Sequence, residues 1–181
     1  MSVVNEVFTL FSRHGAGAYY GESVSMLEHA LQAAHFARED GAPPQLIVAA
    51  LLHDVGHLLE DVPDDLAQWT QDAHHEAVGG AWLARRFGEG VSDPVRLHVP
   101  AKRYLCATDS TYLQQLSPAS VITLNLQGGP MSVAEVAAFE EEPSYREAVR
   151  VRLCDDRGKV AGLHTASLAS YRPLIEGLAR G

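Results

Sequence analysis

Apolar positions recur at three- and four-residue spacings along almost the whole chain, and no segment alternates with period two over the length of a strand. That pattern predicts an all-α fold. A short helix covers residues 2–12 and leads into the glycine-rich turn GAGAYYGES. Ser23 or Ser25 is placed to cap the next helix, and Glu28, three residues after Ser25, completes a capping box. That helix runs to about Asp40 and stops at Gly41. The segment APPQ opens a third helix with proline in its first turn. This helix carries Leu46, Ile47, Ala50 and Leu51, continues through AALLHDVGHLLED, and ends at Pro63. Further helices are predicted over 71–87 (closed by Gly88), near 91–97 and 101–107 on either side of Pro100, near 118–125 after SPAS, from Ser132 to Glu140, from Pro143 to about Asp155, and from about Thr165 to Leu178. QGGP and DRGK turn the chain between them. There is no internal repeat or low-complexity segment, so residues 1–181 read as one domain with one core.

Composition narrows the class. Apolar residues make up 46% and charged residues 20% of the chain, ordinary values for a globular protein. No apolar run is long enough to span a bilayer. The opening MSVVNEVFTLFSRHG is too short and too polar for a secretory leader. Two cysteines, Cys106 and Cys154, make no disulfide framework, so a reducing, cytoplasmic compartment is predicted. The net charge of −9 argues against a general nucleic-acid or membrane surface. An anionic substrate would need a local cationic centre to offset that field.

The stretch AALLHDVGHLLED places His53, Asp54 and His57 in surroundings otherwise fit for a buried helix. Buried polar groups without partners cost kilocalories each, so these should be paired or should hold a metal. On a continuous helix His53 and His57, four apart, share a face. Asp54 is displaced by about one hundred degrees, near enough to reach the same pocket. Other candidates lie on other predicted helices: His29 in LEHALQAAHFA, His75 in HEAVGGAWLARRF, His98 in RLHVPAKRYL and Asp155 in VRVRLCDD. His74 competes with His75, but only His75 directly precedes a glutamate. His14, His35 and His164 read as surface or packing residues. Imidazole and carboxylate together suit iron, manganese, zinc or nickel, and no thiolate of a zinc-finger kind joins them.

The order H…HD…H…H…D resembles the HD-domain superfamily of all-α metalloenzymes. The resemblance implies a helical bundle around a dinuclear metal site. Asp54 would bridge two ions, with His29, His53 and Asp155 completing one and His75 and His98 the other. Within that superfamily the chain resembles, over nearly its full length, the mixed-valent diiron oxygenases that cleave the carbon–phosphorus bond of organophosphonates. In AYYGESVSMLEHALQ, Tyr19 matches a tyrosine that caps an iron until substrate arrives, and Glu22 a glutamate that then holds the substrate amine. In HVPAKRYL, Lys102 supplies a phosphonate-binding cation, with Arg103 outward and His57 a second phosphonate contact. In LSPASVITLNLQGGPMS, Ser120 is the serine carried over as a phosphonate contact, and Ser117 competes with it, since Ser117 could equally be a helix N-cap.

The resemblance implies two iron ions in an Fe(II)/Fe(III) pair, no organic cofactor, and O2 as co-substrate. The substrate would be a 1-hydroxy-2-(amino or trimethylammonio)ethylphosphonate, giving phosphate and glycine or glycine betaine. The alternative is a dinuclear HD phosphohydrolase acting on a phosphomonoester or nucleotide, where two metals activate water and clamp phosphoryl oxygens. A third reading is an HD fold that only binds. The oligomeric state stays open.

Overall fold

The computed structural model describes residues 2–59 and 74–180. The predicted stop at Pro63 and the start of the predicted 71–87 helix lie outside the described residues. Among the described residues the chain is helical, with a lone bridge between Ala18 and Ser25 as its β-type pairing. The all-α expectation holds.

Helix α1 spans Val3–His14 and α2 spans Met26–Glu39. Ser25 caps α2 as the sequence predicts: its hydroxyl accepts from Glu28 N at 3.2 Å, and the Glu28 carboxylate accepts from Ser25 N at 2.7 Å. Gly41, at φ +64°, then reverses the chain where an L side chain would be strained. Replacing Ser25 with alanine removes the acceptor of the Glu28 N–H, while the residue-25 N–H keeps the Glu28 carboxylate. A loss of about 1 kcal/mol is expected, read as a lower midpoint in urea with unchanged slope.

Helix α3, Pro44–Leu52, is buried at every position from Leu46 to Leu52. A helix apolar all round must be surrounded, and α3 packs against α2, the later helices α6 (Glu89–Arg96) and α11 (Tyr145–Arg157), and α12 (Arg172–Leu178). Each of its leucines contributes about 1.5–3 kcal/mol relative to exposure. The predicted continuous helix through HDVGH is corrected here. The chain leaves α3 at Leu52, turns at His53–Asp54, and resumes as α4, Val55–Leu59. The turn frees the two polar residues from the axis of the apolar helix.

Helix α5, His75–Ala84, ends earlier than predicted. Pro100 does not separate two helices. Helix α7 spans His98–Thr108, with Pro100 in its first turn, where no intrahelical N–H is needed. A short α8, Tyr112–Gln115, went unpredicted. Helices α9, Pro118–Leu126, and α10, Val133–Glu140, match expectation, and Ser132 forms the second capping box. The predicted terminal helix is shorter, a 3-10 turn at Leu168–Tyr171 leading into α12. A small second cluster of Leu97, Ala101, Phe139 and Ala148 fastens α10 to α7 and α11. The main core lies around α3, and the His53–Asp54 turn emerges from its C-terminal end among α2, α5, α7 and α11.

Candidate metal and anion site

Four helices aim one imidazole or carboxylate each at the His53–Asp54 turn. His29 comes from α2, His75 from the first position of α5, His98 from the first position of α7, and Asp155 from the last turns of α11. All are buried.

The atoms divide into two groups that share Asp54. His29 Nε2 lies 3.0 Å from His53 Nε2, and these nitrogens stand 3.5 and 3.3 Å from Asp54 Oδ2. Asp155 Oδ1 stands 3.4 Å from His29 Nε2. On the other side, His75 Nε2 lies 3.2 Å from His98 Nε2, and both approach Asp54 Oδ1, at 3.3 and 3.6 Å. Each group has the donors and the spacing to hold a metal ion.

The proton positions favour a cation. His29, His53 and His98 each place Nδ1 against a backbone carbonyl, of Gly158 at 2.9 Å, Ala50 at 2.8 Å and Val95 at 2.7 Å. A carbonyl only accepts, so Nδ1 carries the proton and each Nε2 lone pair faces inward. Lone pairs converging at about 3 Å repel unless a cation or proton lies between them. Asp54 Oδ2 and Asp155 Oδ1, both buried, have no hydrogen-bond partner, as expected of oxygens built to meet a metal. The residues therefore fit a dinuclear centre.

Electrostatics agree. Burial opposes ionisation of Asp54, but the charge of His53 and the close approach of the His29, His53 and His75 imidazoles hold its carboxyl well below the usual range. Burial likewise opposes charge on His53, yet the Asp54 carboxylate and Asp155 carry it up to about 9. Burial also opposes ionisation of Asp155, and the guanidinium of Arg152 with the ammonium of Lys159 outweighs it. Arg152 Nη1 lies 2.8 Å from Asp155 Oδ2, the oxygen turned away from the histidines.

A cavity of about 50 Å³, open to solvent, meets this centre. Tyr19, Glu22, Asp54, His57, His75, His98, Lys102, Ser120 and Asp155 all reach its wall. His29 and His53 stand behind them. Tyr19 stacks on the His29 ring at 3.9 Å. Burial first, then the charges of Asp54 and Asp155 and a hydrogen bond with Asp54, hold its phenol proton well above the ordinary range. His57 stacks on His75 at 3.9 Å and is kept neutral by burial and by His75. Lys102 is 2% exposed and donates to Thr123 Oγ1 at 2.9 Å. Ser120 Oγ accepts from Lys159 Nζ at 3.0 Å. Ser117 caps α9 and also donates to Glu22 Oε1 at 2.5 Å, so it anchors the glutamate while Ser120 faces the cavity. Arg103 points away, to Gly129 O and Glu135.

Two glycines make the assembly possible. A Cβ on Gly56 would lie 2.0 Å from the carbonyl oxygen of His75, and a Cβ on Gly158 would lie 3.1 Å from His29 Nδ1. Sequence reasoning missed Tyr20, Arg152, Lys159, Thr123 and Gln127, which also line the cavity. A signal existed for some of them. Arg152 precedes Asp155 by three on α11, and Ser120, Thr123 and Gln127 follow helical spacing along one face of α9. Lys159 sits beyond a helix end, where spacing carries no such information.

The comparisons with known proteins follow the same lines. The chain is 47% identical over 174 residues to the hydroxymethylphosphonate dioxygenase of Gimesia maris, covering 96% of this chain and 86% of that protein. It is 41% identical over 175 residues to the [1-hydroxy-2-(trimethylamino)ethyl]phosphonate dioxygenase (glycine-betaine-forming) of Leisingera caerulea, covering 97% and 89%. The chain belongs to the HD-domain phosphonate dioxygenase family. An uncharacterized protein of Acanthamoeba polyphaga mimivirus is 34% identical over 174 residues, covering 95% of this phosphonate dioxygenase homologue and 80% of the viral protein. No family model matches the chain. Among the described residues no helix is long and apolar enough to cross a membrane.

Proposed function

We propose that this chain is a diiron oxygenase that uses O2 to cleave the C–P bond of a small 1-hydroxyphosphonate, releasing phosphate and a carboxylic acid. The observation that carries the reading is the pair of His/Asp pockets joined through Asp54 and opening onto a wall with buried cations. The balance is one 1-hydroxyphosphonate plus one O2 giving one carboxylic acid plus one phosphate. The acid is formate from hydroxymethylphosphonate, glycine from 2-amino-1-hydroxyethylphosphonate, and glycine betaine from its N-trimethyl analogue.

His29, His53, Asp54 and Asp155 would hold one iron, and Asp54, His75 and His98 the other. A mixed-valent Fe(II)/Fe(III) pair supplies the redox chemistry toward O2 and a Lewis-acid seat for the substrate oxygens. The chain's own groups do the rest. Lys102, Ser120 and neutral His57 bind and orient the phosphonate, and Lys102 adds the charge an anion needs in an acidic protein. Tyr19, held protonated against Asp54, covers the first pocket and must swing aside for the substrate. Glu22, steadied by Ser117, lines the cavity and would take an ammonium group where the substrate has one. The apolar helices behind His29 and His53 keep bulk water from the rear of the centre. The chain reads as one HD domain over 1–181, and its two unpaired thiols fit the reducing cytoplasm.

The test is oxygen uptake and phosphate release by iron-loaded protein given each of these three phosphonates. Equal amounts of O2 consumed and phosphate formed are expected with at least one of them. Phosphate release from a phosphomonoester without oxygen uptake, and no reaction with any phosphonate, would replace this reading by the hydrolase.

A further inference from the structure

Three of the four histidines around Asp54 are oriented by backbone carbonyls, and the fourth is not. His75 Nδ1 is buried and makes no hydrogen bond. Glu76 Oε2 stands 3.6 Å from it, itself buried and without a hydrogen-bond partner. Glu76 is 9% exposed. Its other oxygen stands 3.9 Å from Nδ1 of the exposed His74. A buried imidazole N–H and a buried carboxylate oxygen, each unsatisfied and facing each other just beyond bonding distance, form a pair that a small ring rotation would close.

We propose that Glu76 is a positioning residue for the second metal pocket, accepting the His75 Nδ1 proton so that Nε2 faces Asp54 Oδ1 and His98 as a strengthened donor. The two pockets then differ in their support. The first is oriented by neutral carbonyls at Gly158 and Ala50. The second has one neutral carbonyl, at Val95, and one carboxylate. A carboxylate behind a ligating imidazole fixes its tautomer and raises its basicity, and losing such a partner typically weakens metal binding about 10–100-fold. The inference rests on the dinuclear reading above and says nothing of the substrate.

The experiment is a zinc(II) titration of the full chain after chelation, comparing wild type with Glu76→Ala and Glu76→Gln. Wild type is expected to take two ions. Glu76→Ala should bind the first ion within about threefold of wild type and the second about 10–100-fold more weakly. Glu76→Gln keeps a neutral acceptor oxygen and should recover most of that loss. Should the alanine variant fail to fold, the glutamine variant still decides the matter by NMR of zinc-loaded protein. The His75 Nδ1–H resonance should lie far downfield in wild type and move upfield in Glu76→Gln. Second-ion affinity unchanged in a folded Glu76→Ala, equal weakening of both ions, or an unmoved proton resonance overturns the proposal. A wild type that takes no second ion would overturn the dinuclear reading, and this proposal with it, before any variant is compared.

Discussion

Replacing Gly56 with alanine is expected to dismantle the second metal pocket while leaving most of the helical fold in place. A Cβ there would stand 2.0 Å from His75 O, 2.7 Å from its carbonyl carbon and 3.0 Å from its Cα. All three are backbone atoms, so no rotamer change relieves the clash, and the start of α5 has to move. Its room is limited, because Gly79 of α5 already packs against the Gly56 backbone, where a Cβ would lie 3.1 Å from Gly56 N. His75 is the first residue of α5 and rides on that backbone. A shift near 1 Å at a reacting centre can lower turnover about 10²-fold. Overpacking against backbone should also destabilise the fold by about 2–4 kcal/mol. The measurement is metal content by elemental analysis, with thermal unfolding of the metal-free chain. One ion per chain with a retained unfolding transition is the expected pair of results, and two ions at wild-type affinity would contradict it.

Replacing Lys102 with methionine should stabilise the metal-free protein and disable it. Lys102 is 2% exposed and donates to Thr123 Oγ1, and among the described residues no carboxylate lies within ion-pair distance of its ammonium. Burial, followed by the nearby charge of Arg152, pushes the lysine down to about 7 from an ordinary value above 10. The folded chain therefore binds fewer protons at this site than the unfolded chain between about pH 7 and 10.5. Holding the cation at neutral pH costs the fold on the order of 2–4 kcal/mol. An isosteric methionine removes that cost, and Tm should rise by roughly 5–10 °C. The same change would delete the charge-assisted contact proposed between Lys102 and the phosphonate, so KM should rise about 10²-fold. The wild-type pH profile follows with its sign. Lys102 is cationic below about pH 7, so kcat/KM for a phosphonate is highest there and falls as pH rises through that value. Bound metal cations would move the limb lower, never higher. Lys102→Arg should abolish the limb, since guanidinium stays charged. A methionine variant that is less stable than wild type, or that retains its KM, would remove Lys102 from the anion site.

Buried groups that weaken a fold gather where function requires them, and here they do so around one turn. Asp54, His57, His75, His98, Lys102 and Asp155 sit within a core that could otherwise have been leucine and valine. The three orienting carbonyls, of Ala50, Val95 and Gly158, come from helix ends or the turn after α11, where main-chain oxygens have no further helical donor. The helix ends that carry the ligands are thus also the source of the groups that aim them.

The sequence by itself determined the helical class, the capping box at Ser25 and the cap at Ser132, the apolar face-all-round of α3, and six residues, His29, His53, Asp54, His75, His98 and Asp155, that the fold gathers around one turn. These are legible because helical period, caps and polar residues in apolar settings are local patterns. Their order along the chain also matched a family pattern. Local reasoning failed where tertiary contact decides. The HDVGH segment reads as one helix by period, yet it breaks at His53–Asp54, because the carboxylate must face two sets of histidines that no single helix face can serve. Arg152 entered the site through the packing of α11 against α2 and α7, Lys159 through the turn that follows α11, and Gly56 is glycine because the backbone of a helix nineteen residues later lies against it. Sequence spacing describes one element at a time. The division of Asp54 between two pockets, the carboxylate set behind His75 and the cation buried at Lys102 exist only once separate helices are brought to the same few ångströms.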